Sequence, residues 1–289
     1  MALWDEHERS AGVRYGFIIT NGDIHTVAAL AREVEEAGWD GAFYWDGMYS
    51  GPDMPVYDPW IVLAAMAMRT ERVRLGAIIT PLSRRRPWKV ARETATLDQL
   101  SGGRLILPVG LGAVDSFGLV GEETDRKVRA QLLDESLDIL TGLWSAAPFS
   151  YAGRHYQLGE MTFLPAPIQH PRIPIWVVGA WGSERSMGRA LRYDGLLPTK
   201  IGANGAHVAL TPDDYRAIRA YADARRPTDT PYDLIVEGTT PTGDRDRAAE
   251  QVRPFAEAGA TWWIESPWTP PNGPTELRER IRQGPPRPH

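Results

Sequence analysis

The chain has 289 residues and 43% hydrophobic content, enough apolar surface for one large core or two small ones. A net charge of −5 leaves no electrostatic footprint for nucleic acid, whose binding rests on phosphate neutralisation. The absence of cysteine excludes disulfides, thiolate metal sites and a cysteine nucleophile. The start, "MALWDEHERS", is acidic and lacks the basic-then-apolar pattern of a signal peptide. No run of about 20 apolar residues occurs, so no membrane span is expected. The expectation is a soluble cytoplasmic protein. Its 11 tryptophans serve a packed core or an aromatic-lined pocket.

The first strand-like run is "VRYGFIIT" (13–20), after which Asp23 suits the cap of a helix to Ala37. "GAFYWD" (41–46) is the second strand, and Asp58-Pro59 opens a helix to about Met68. "VRLGAII" (73–79) is the third strand, and Pro87 starts a helix ending near Ser101-Gly102-Gly103. "RLILPVG" (104–110) is the fourth, although its Pro108 removes a backbone donor from an apparently central strand. A long helix, about Asp125 to Trp144, follows. An insertion at about 147–173 then reads as a small hairpin and a Pro-rich crossing. Beyond it the spacing predicts strands at 174–179, 194–198, 232–238 and 261–266, with helices at 183–192, 212–225, 244–258 and 274–283. The tail, about 284–289, reads as frayed.

About eight strands, each followed by a helix, imply a parallel sheet covered by helices, and their number fits one (β/α)8 barrel over 1–289. A doubly wound sheet is the alternative. Its Gly-rich fingerprint is missing from the first turn, "TNGDIH".

In such a barrel the site forms at the C-terminal strand ends. Those ends bring Trp45, Asp46 and Gly47 with nearby Tyr49, then Ile79 and Thr80, then Gly110 and Gly112. They also bring Gly179, Ala180, Trp181, Gly182 and Ser183, and last Glu265 and Trp268. This rim is aromatic, Gly-rich and sparse in charge, which suits a flat conjugated ring. In "VVGAWGSERS", glycines and a capping Ser183 at a helix start either attract phosphate or form an ordinary turn. Gly110 and Gly112 either let a ring lie against backbone or make a plain turn. Arg84, Arg85, Arg86 and Lys89 either face an anionic cofactor tail or lie solvated at a helix start. The scattered histidines (His7, His25, His155, His170, His207, His289) show no metal spacing. A glycosidase would need two of Asp46, Asp115, Glu122, Glu123 and Glu265 across one cleft.

Two segments carry a resemblance: "RTERVRLGAIITPLSRRRPWKVARETATLDQLSGGRLILPVGLG" (69–112) and "FLPAPIQHPRIPIWVVGAWGSERSMGRALRYDG" (163–195). With them the chain resembles the luciferase-like flavin- or F420-dependent oxidoreductases over roughly residues 13 to 265. The resemblance implies a TIM barrel holding a reduced flavin or deazaflavin across its strand ends. It implies a non-proline cis peptide at Ile78-Ile79 behind the ring, and phosphate at Gly179 to Ser183. Relatives commonly place histidine where this chain has Gly47, so a proton transfer using that imidazole would have to move to Asp46, His25 or a tyrosine. The implied activity is FMNH2/O2 monooxygenation of a small organic substrate, with F420-dependent hydride transfer close behind and a non-catalytic flavin binder as the alternative of another class. Asp46 is then the catalytic candidate and would bond the ring or substrate, and Trp45, Tyr49, Trp181 and Trp268 would wall the pocket. A separate flavin or F420 reductase and a homodimer are the implied partners.

Overall fold

The computed structural model describes residues 12–113, 117–202, 205–227 and 230–287. Strands and helices alternate from the first to the last of them. The order is β1 (Arg14–Ile18), α1 (Ile24–Glu36), β2 (Gly41–Tyr44), α2 (Pro59–Ala67), β3 (Arg74–Ala77), β4 (Thr80–Pro81), α3 (Pro87–Ser101), β5 (Leu107–Gly110) and α4 (Arg126–Trp144). A hairpin follows, β6 (Phe149–Ala152) with β7 (Gln157–Met161). Then come β8 (Ile175–Ala180), α5 (Glu184–Ala190), β9 (Gly195–Ile201), β10 (His207–Val208) and α6 (Pro212–Asp223). The chain closes with β11 (Asp233–Gly238), α7 (Arg245–Glu257), β12 (Trp262–Glu265) and α8 (Pro274–Arg282).

The parallel sheet runs β3-β2-β1-β12-β11-β9-β8-β5-β4. β3 and β4 are two halves of one strand position, interrupted where the Ile78-Ile79 peptide bond is cis. That is where the resemblance implied it. A parallel bridge from Leu75 to Leu105 joins β3 to the chain entering β5 and completes a (β/α)8 barrel. β10 is a short antiparallel arm on β9 that the strand pattern did not foretell.

Local chemistry fixes the helix starts. Asp23, Asp58 and Asp125 each accept amides of the first turn of α1, α2 and α4, and Pro59 and Pro87 sit where no amide donor is needed. The segment "LDQLSGGR" ties elements together. Asp98 accepts the Ile168 amide at 2.7 Å and the Gln169 side chain at 2.7 Å, which fastens the Pro-rich crossing to α3. Arg104 donates to the carbonyls of Ser101, Thr70, Ala67 and Val73, closing the turn beneath β3.

Pro108 has a physical account. The Ile106 amide donates to Leu75 O and the Leu107 amide to Pro174 O, so successive β5 residues face alternate neighbours. Residue 108 therefore faces the third strand, at the gap where that strand leaves the ladder between β3 and β4. No donor is missed there. The expected fraying of the tail fails over 284–287. Gly284, Pro285 and Pro286 are buried, and Arg287 pairs with Asp40 at 2.8 Å and the Gly38 carbonyl at 3.1 Å.

Glu35, at the end of α1, accepts the amides of Glu71 (3.0 Å), Arg72 (2.6 Å) and Val73 (2.9 Å), and so anchors the start of β3. Burial opposes its ionisation, but the three amides prevail and hold the carboxyl below its usual 4.5. A depressed folded value stabilises above the unfolded one and is lost as pH falls through the folded one. Glu35→Gln should therefore cost about 1–2 kcal/mol at neutral pH. In urea unfolding the gap to the parent protein should narrow as pH falls below the ordinary carboxyl value of 4.5 and through the depressed folded one. An identical gap at every pH would refute this assignment.

Candidate active site

The tip of β2 holds a locked carboxylate. Arg85 donates to Asp46 from Nε at 2.9 Å and from Nη2 at 2.8 Å, occupying both oxygens. The Asp46 side chain is only 1% exposed. Burial pushes its carboxyl up, and the two Arg85 bonds pull against that. Arg85 in turn is held more firmly protonated by the carboxylate. We read the pair as ionised, because guanidinium does not release its proton. Asp46 is thus engaged with its own chain, and the expectation that it bonds a ring or substrate as the catalytic acid does not describe its geometry.

Gly47 is explained by its neighbour. A Cβ at this position would lie 2.1 Å from the Trp45 ring. The indole occupies the volume that a side chain at position 47 would need. Trp45 Nε1 is buried without a partner. Tyr49 stands 51% exposed, outside both cavities described below.

Two of the glycines expected to admit a ring are filled from within. A Cβ on Gly110 would meet Ile79 Cδ1 at 2.4 Å, and one on Gly112 would meet Pro81 Cβ at 2.7 Å. Arg129 fixes this turn by donating to Leu111 O at 2.8 Å and Gly112 O at 3.2 Å. Gly179 is likewise filled, by Leu196 at 2.4 Å. Gly182 differs: its φ is +88°, and nothing lies within 4 Å of the Cβ it lacks. Thr80 is fully buried, with an unpartnered hydroxyl.

The mouth holds two cavities of opposite character. One, about 630 Å³, lies between the start of α4 and the turn from Ala180 to Ser186. Arg126, Lys127 and Arg185 line it, with Trp181, Gly182 and Ser183. Arg126 and Lys127 occupy the first turn of α4, where the helix dipole disfavours cations. An anion between them would reverse that penalty. The sequence reading passed over these three residues, although cations at a helix start were a usable signal.

The second cavity, about 620 Å³, lies against Ile78 and Ile79. Val178, Leu197, Val208 and Leu210 give it apolar walls, and Glu237, His207 and Trp268 supply polar groups. Trp268 Nε1 donates to Glu237 at 2.6 Å. Thr199 Oγ1 and His207 Nδ1 are 2.9 Å apart. Partial desolvation raises the Glu237 carboxyl above its usual 4.5, against the Trp268 and Ser266 bonds, and the shift is modest because the residue is exposed to solvent. The sequence reading placed Glu237 in a strand and left His207 among the scattered histidines. A lone acid before the last glycine of an apolar strand was the available sign.

Among the described residues the remaining acids do not form a hydrolytic pair. Glu122 is bonded to Arg84 at 2.8 Å, and Glu123 accepts the Asp125 amide at 2.7 Å. Glu265 is 2% exposed and takes the Thr240 amide at 2.8 Å, with Arg280 at 3.4 Å. Asp115 lies outside the described residues. Among the described residues no cluster of three metal-ligating side chains occurs, and no helix is long and apolar enough to cross a membrane.

The structure is thus a parallel barrel with a basic cavity beside a more apolar one at its C-terminal mouth. The chain matches the luciferase-like monooxygenase family over residues 6–284 and belongs to it. It is 30% identical over 237 residues to an F420-dependent glucose-6-phosphate dehydrogenase of Nakamurella multipartita, covering 80% of this chain and 68% of that one. Its fold resembles the coenzyme F420 dependent tetrahydromethanopterin reductase of Methanopyrus kandleri, with a TM-score of 0.73, 18% identity and coverage of 95% and 99%. It also resembles the FMN-bound 3,6-diketocamphane monooxygenase of Pseudomonas putida, with a TM-score of 0.72, 14% identity and coverage of 94% and 96%.

Two substitutions test the β2 tip. Gly47→His should displace the Trp45 ring, cost about 1–3 kcal/mol, and change the near-ultraviolet circular dichroism. Combining it with Trp45→Ala should recover part of that stability; equal losses in both backgrounds would contradict the contact. Asp46→Asn should cost roughly 3 kcal/mol by stranding the Arg85 charge, read as a lower urea midpoint.

Proposed function

We propose that this oxidoreductase uses F420 and transfers a hydride between it and a small organic substrate. The sequence alone left FMN slightly ahead. Similarity to an F420-dependent dehydrogenase across 80% of the chain moves the balance to F420. The structural observation that carries the reading is the gathering of Arg126, Lys127 and Arg185 around one cavity beside the open face of Gly182.

These residues fit an anionic cofactor tail. The three cations would neutralise phosphate, and Gly182 would allow close approach of backbone. The Ser183 hydroxyl caps α5 by accepting the Ser186 amide at 3.5 Å, which leaves its own proton for an anion. The deazaflavin supplies the hydride chemistry when bound. This chain's part is to orient it, to keep water out with Ile78, Ile79, Val178 and Leu197, and to move a proton.

Two partners belong to the same proposal. A separate F420-using enzyme would recycle the cofactor. A second copy of the chain would cover Ile61 on α2 and Met68 at its C-cap, which lie exposed seven residues apart.

Mixing the purified protein separately with F420, FMN and reduced FMN tests the choice of cofactor. F420 should bind most tightly; preference for reduced FMN with consumption of oxygen would transfer the reading to monooxygenation. The Lys127→Ala, Arg185→Ala double variant should weaken F420 binding at least about tenfold and flatten its salt dependence. An unchanged affinity would remove the basic cavity from the cofactor site.

A further inference from the structure

A third cavity, about 800 Å³, lies at the N-terminal ends of the strands, on the face opposite the mouth. The starts of β1, β3 and β12 form it together with α7 and the tail at Arg287. Among the described residues its lining includes five arginines, Arg14, Arg72, Arg74, Arg253 and Arg287, against two acids, Glu35 and Asp40. The whole chain carries 37 acids and 32 basic residues, so this local excess runs against its net charge. Both acids are already engaged. Asp40 pairs with Arg287 at 2.8 Å and accepts the Tyr15 amide at 2.7 Å. Glu35 accepts the three amides that lead into β3. Arg14 pairs with Asp233 over the Trp262 ring, and Arg74 donates to Gly103 O at 3.0 Å, so these two close the barrel floor. Arg72 and Arg253 have no such task. Both are exposed, and neither guanidinium forms a hydrogen bond or ion pair with the described residues. Trp262, which lines the same cavity, is fully buried with its Nε1 unpartnered. A buried N–H without an acceptor marks a place for an oxygen that the chain itself does not supply.

We propose that this face holds a second ligand site, for a compact anion bearing two or more phosphate or carboxylate groups. It stands independently of the F420 reading, whose residues lie at the other end of the barrel. Crowded like charges raise the energy of the bare protein, and a multivalent anion reverses that cost. Among the described lining residues every cation is an arginine, the side chain suited to holding oxyanions by paired bonds. Arg72 precedes β3 and Arg253 lies on α7, so a ligand that meets both guanidiniums spans two elements. One oxyanion group on each satisfies both, whereas a single small anion satisfies one and leaves the other bare. Arg14, Arg74 and Arg287 keep their present partners and contribute field alone. Because Arg72 and Arg253 are exposed, the ligand stays partly in water, and its affinity falls with salt.

Isothermal titration calorimetry of the whole chain at low ionic strength tests this with inorganic pyrophosphate, citrate and inorganic phosphate. The basic cavity at the mouth also attracts anions, so the titrations use the Lys127→Ala, Arg185→Ala variant beside the parent protein. Pyrophosphate or citrate should bind that variant with a Kd below about 1 mM, and at least about tenfold more tightly than inorganic phosphate. Adding Arg72→Gln and Arg253→Gln should weaken this binding about tenfold or more, with an unchanged urea midpoint. The tighter of the two anions tells a phosphate ligand from a carboxylate one, and either supports the site. Absence of binding to the mouth variant overturns the proposal, as does equal affinity for inorganic phosphate. An affinity that ignores the Arg72 and Arg253 substitutions overturns it too. If the urea midpoint falls, Arg253→Gln alone decides, since that guanidinium has no bond within the described chain to lose: unchanged affinity there overturns the site. In the parent background the Arg72→Gln, Arg253→Gln pair should leave F420 binding within about twofold, which keeps the two sites separable.

Discussion

The barrel stands because three large rings fill its interior and glycines make room for them. Phe43, Trp176 and Trp262 meet at centroid distances of 5.3 to 6.0 Å. Side chains at Gly16 and Gly41 would each come within 2.6 Å of Phe43, and one at Gly195 within 2.4 Å of Trp176. Ile18, Ile106, Ile235 and Ile264 complete this inner cluster. Below it, the Arg14 guanidinium lies 4.7 Å from the Trp262 centroid, and Asp233 accepts Trp176 Nε1 at 3.2 Å. Interiors pack at crystal density, so rings of this size fix the relative height of the strands that carry them. The strand ends at the mouth inherit that fixed geometry.

On this platform the mouth separates charged from apolar walls. Cations of the helix starts gather at the cavity beside Gly182, and the wall behind Ile78 and Ile79 is left apolar. Interior pairing keeps the two apart. Asp46 neutralises the Arg85 guanidinium at the tip of β2. Arg84 is neutralised by Glu122 in the same way. A bidentate Arg–carboxylate pair is directional as well as neutralising, so it also sets the position of the loop that follows β2.

The alternation of strands and helices was legible because each element carries its own local signal. Asp23, Asp58 and Asp125 announce helix starts, and Gly102, at φ +67°, ends α3. The family was legible in "LDQLSGGR", whose Asp98 and Arg104 turn out to be ties between elements and not groups of the site. The division of the mouth was not legible. Whether Asp46 faces a ligand depends on Arg85, 39 residues away, and on the path between them. The role of Gly110 depends on Ile79, which no spacing rule connects to it. His207 escaped notice because its arm, β10, is two residues long and gives no periodic signal. Most tryptophans went to the core: Trp39, Trp60, Trp144, Trp176, Trp262 and Trp263 are all buried.

Position 47 decides what the tip of β2 can do. A histidine there would place a titrating imidazole at the strand end. Here the Trp45 ring covers that position and Arg85 neutralises the adjacent acid, so the tip of β2 is apolar and carries no net charge. A group that exchanges a proton with a ligand in the 620 Å³ cavity must touch that cavity. Among the described lining residues only Glu237, His207 and Tyr215 titrate at all. Tyr215 donates its hydroxyl to a backbone carbonyl and has its pKa raised far beyond working pH by burial, so it stays protonated and accepts nothing. His207 sits on the short β10 arm, whereas Glu237 ends a strand of the barrel itself. A group on a strand of the barrel is held more precisely than one on such an arm.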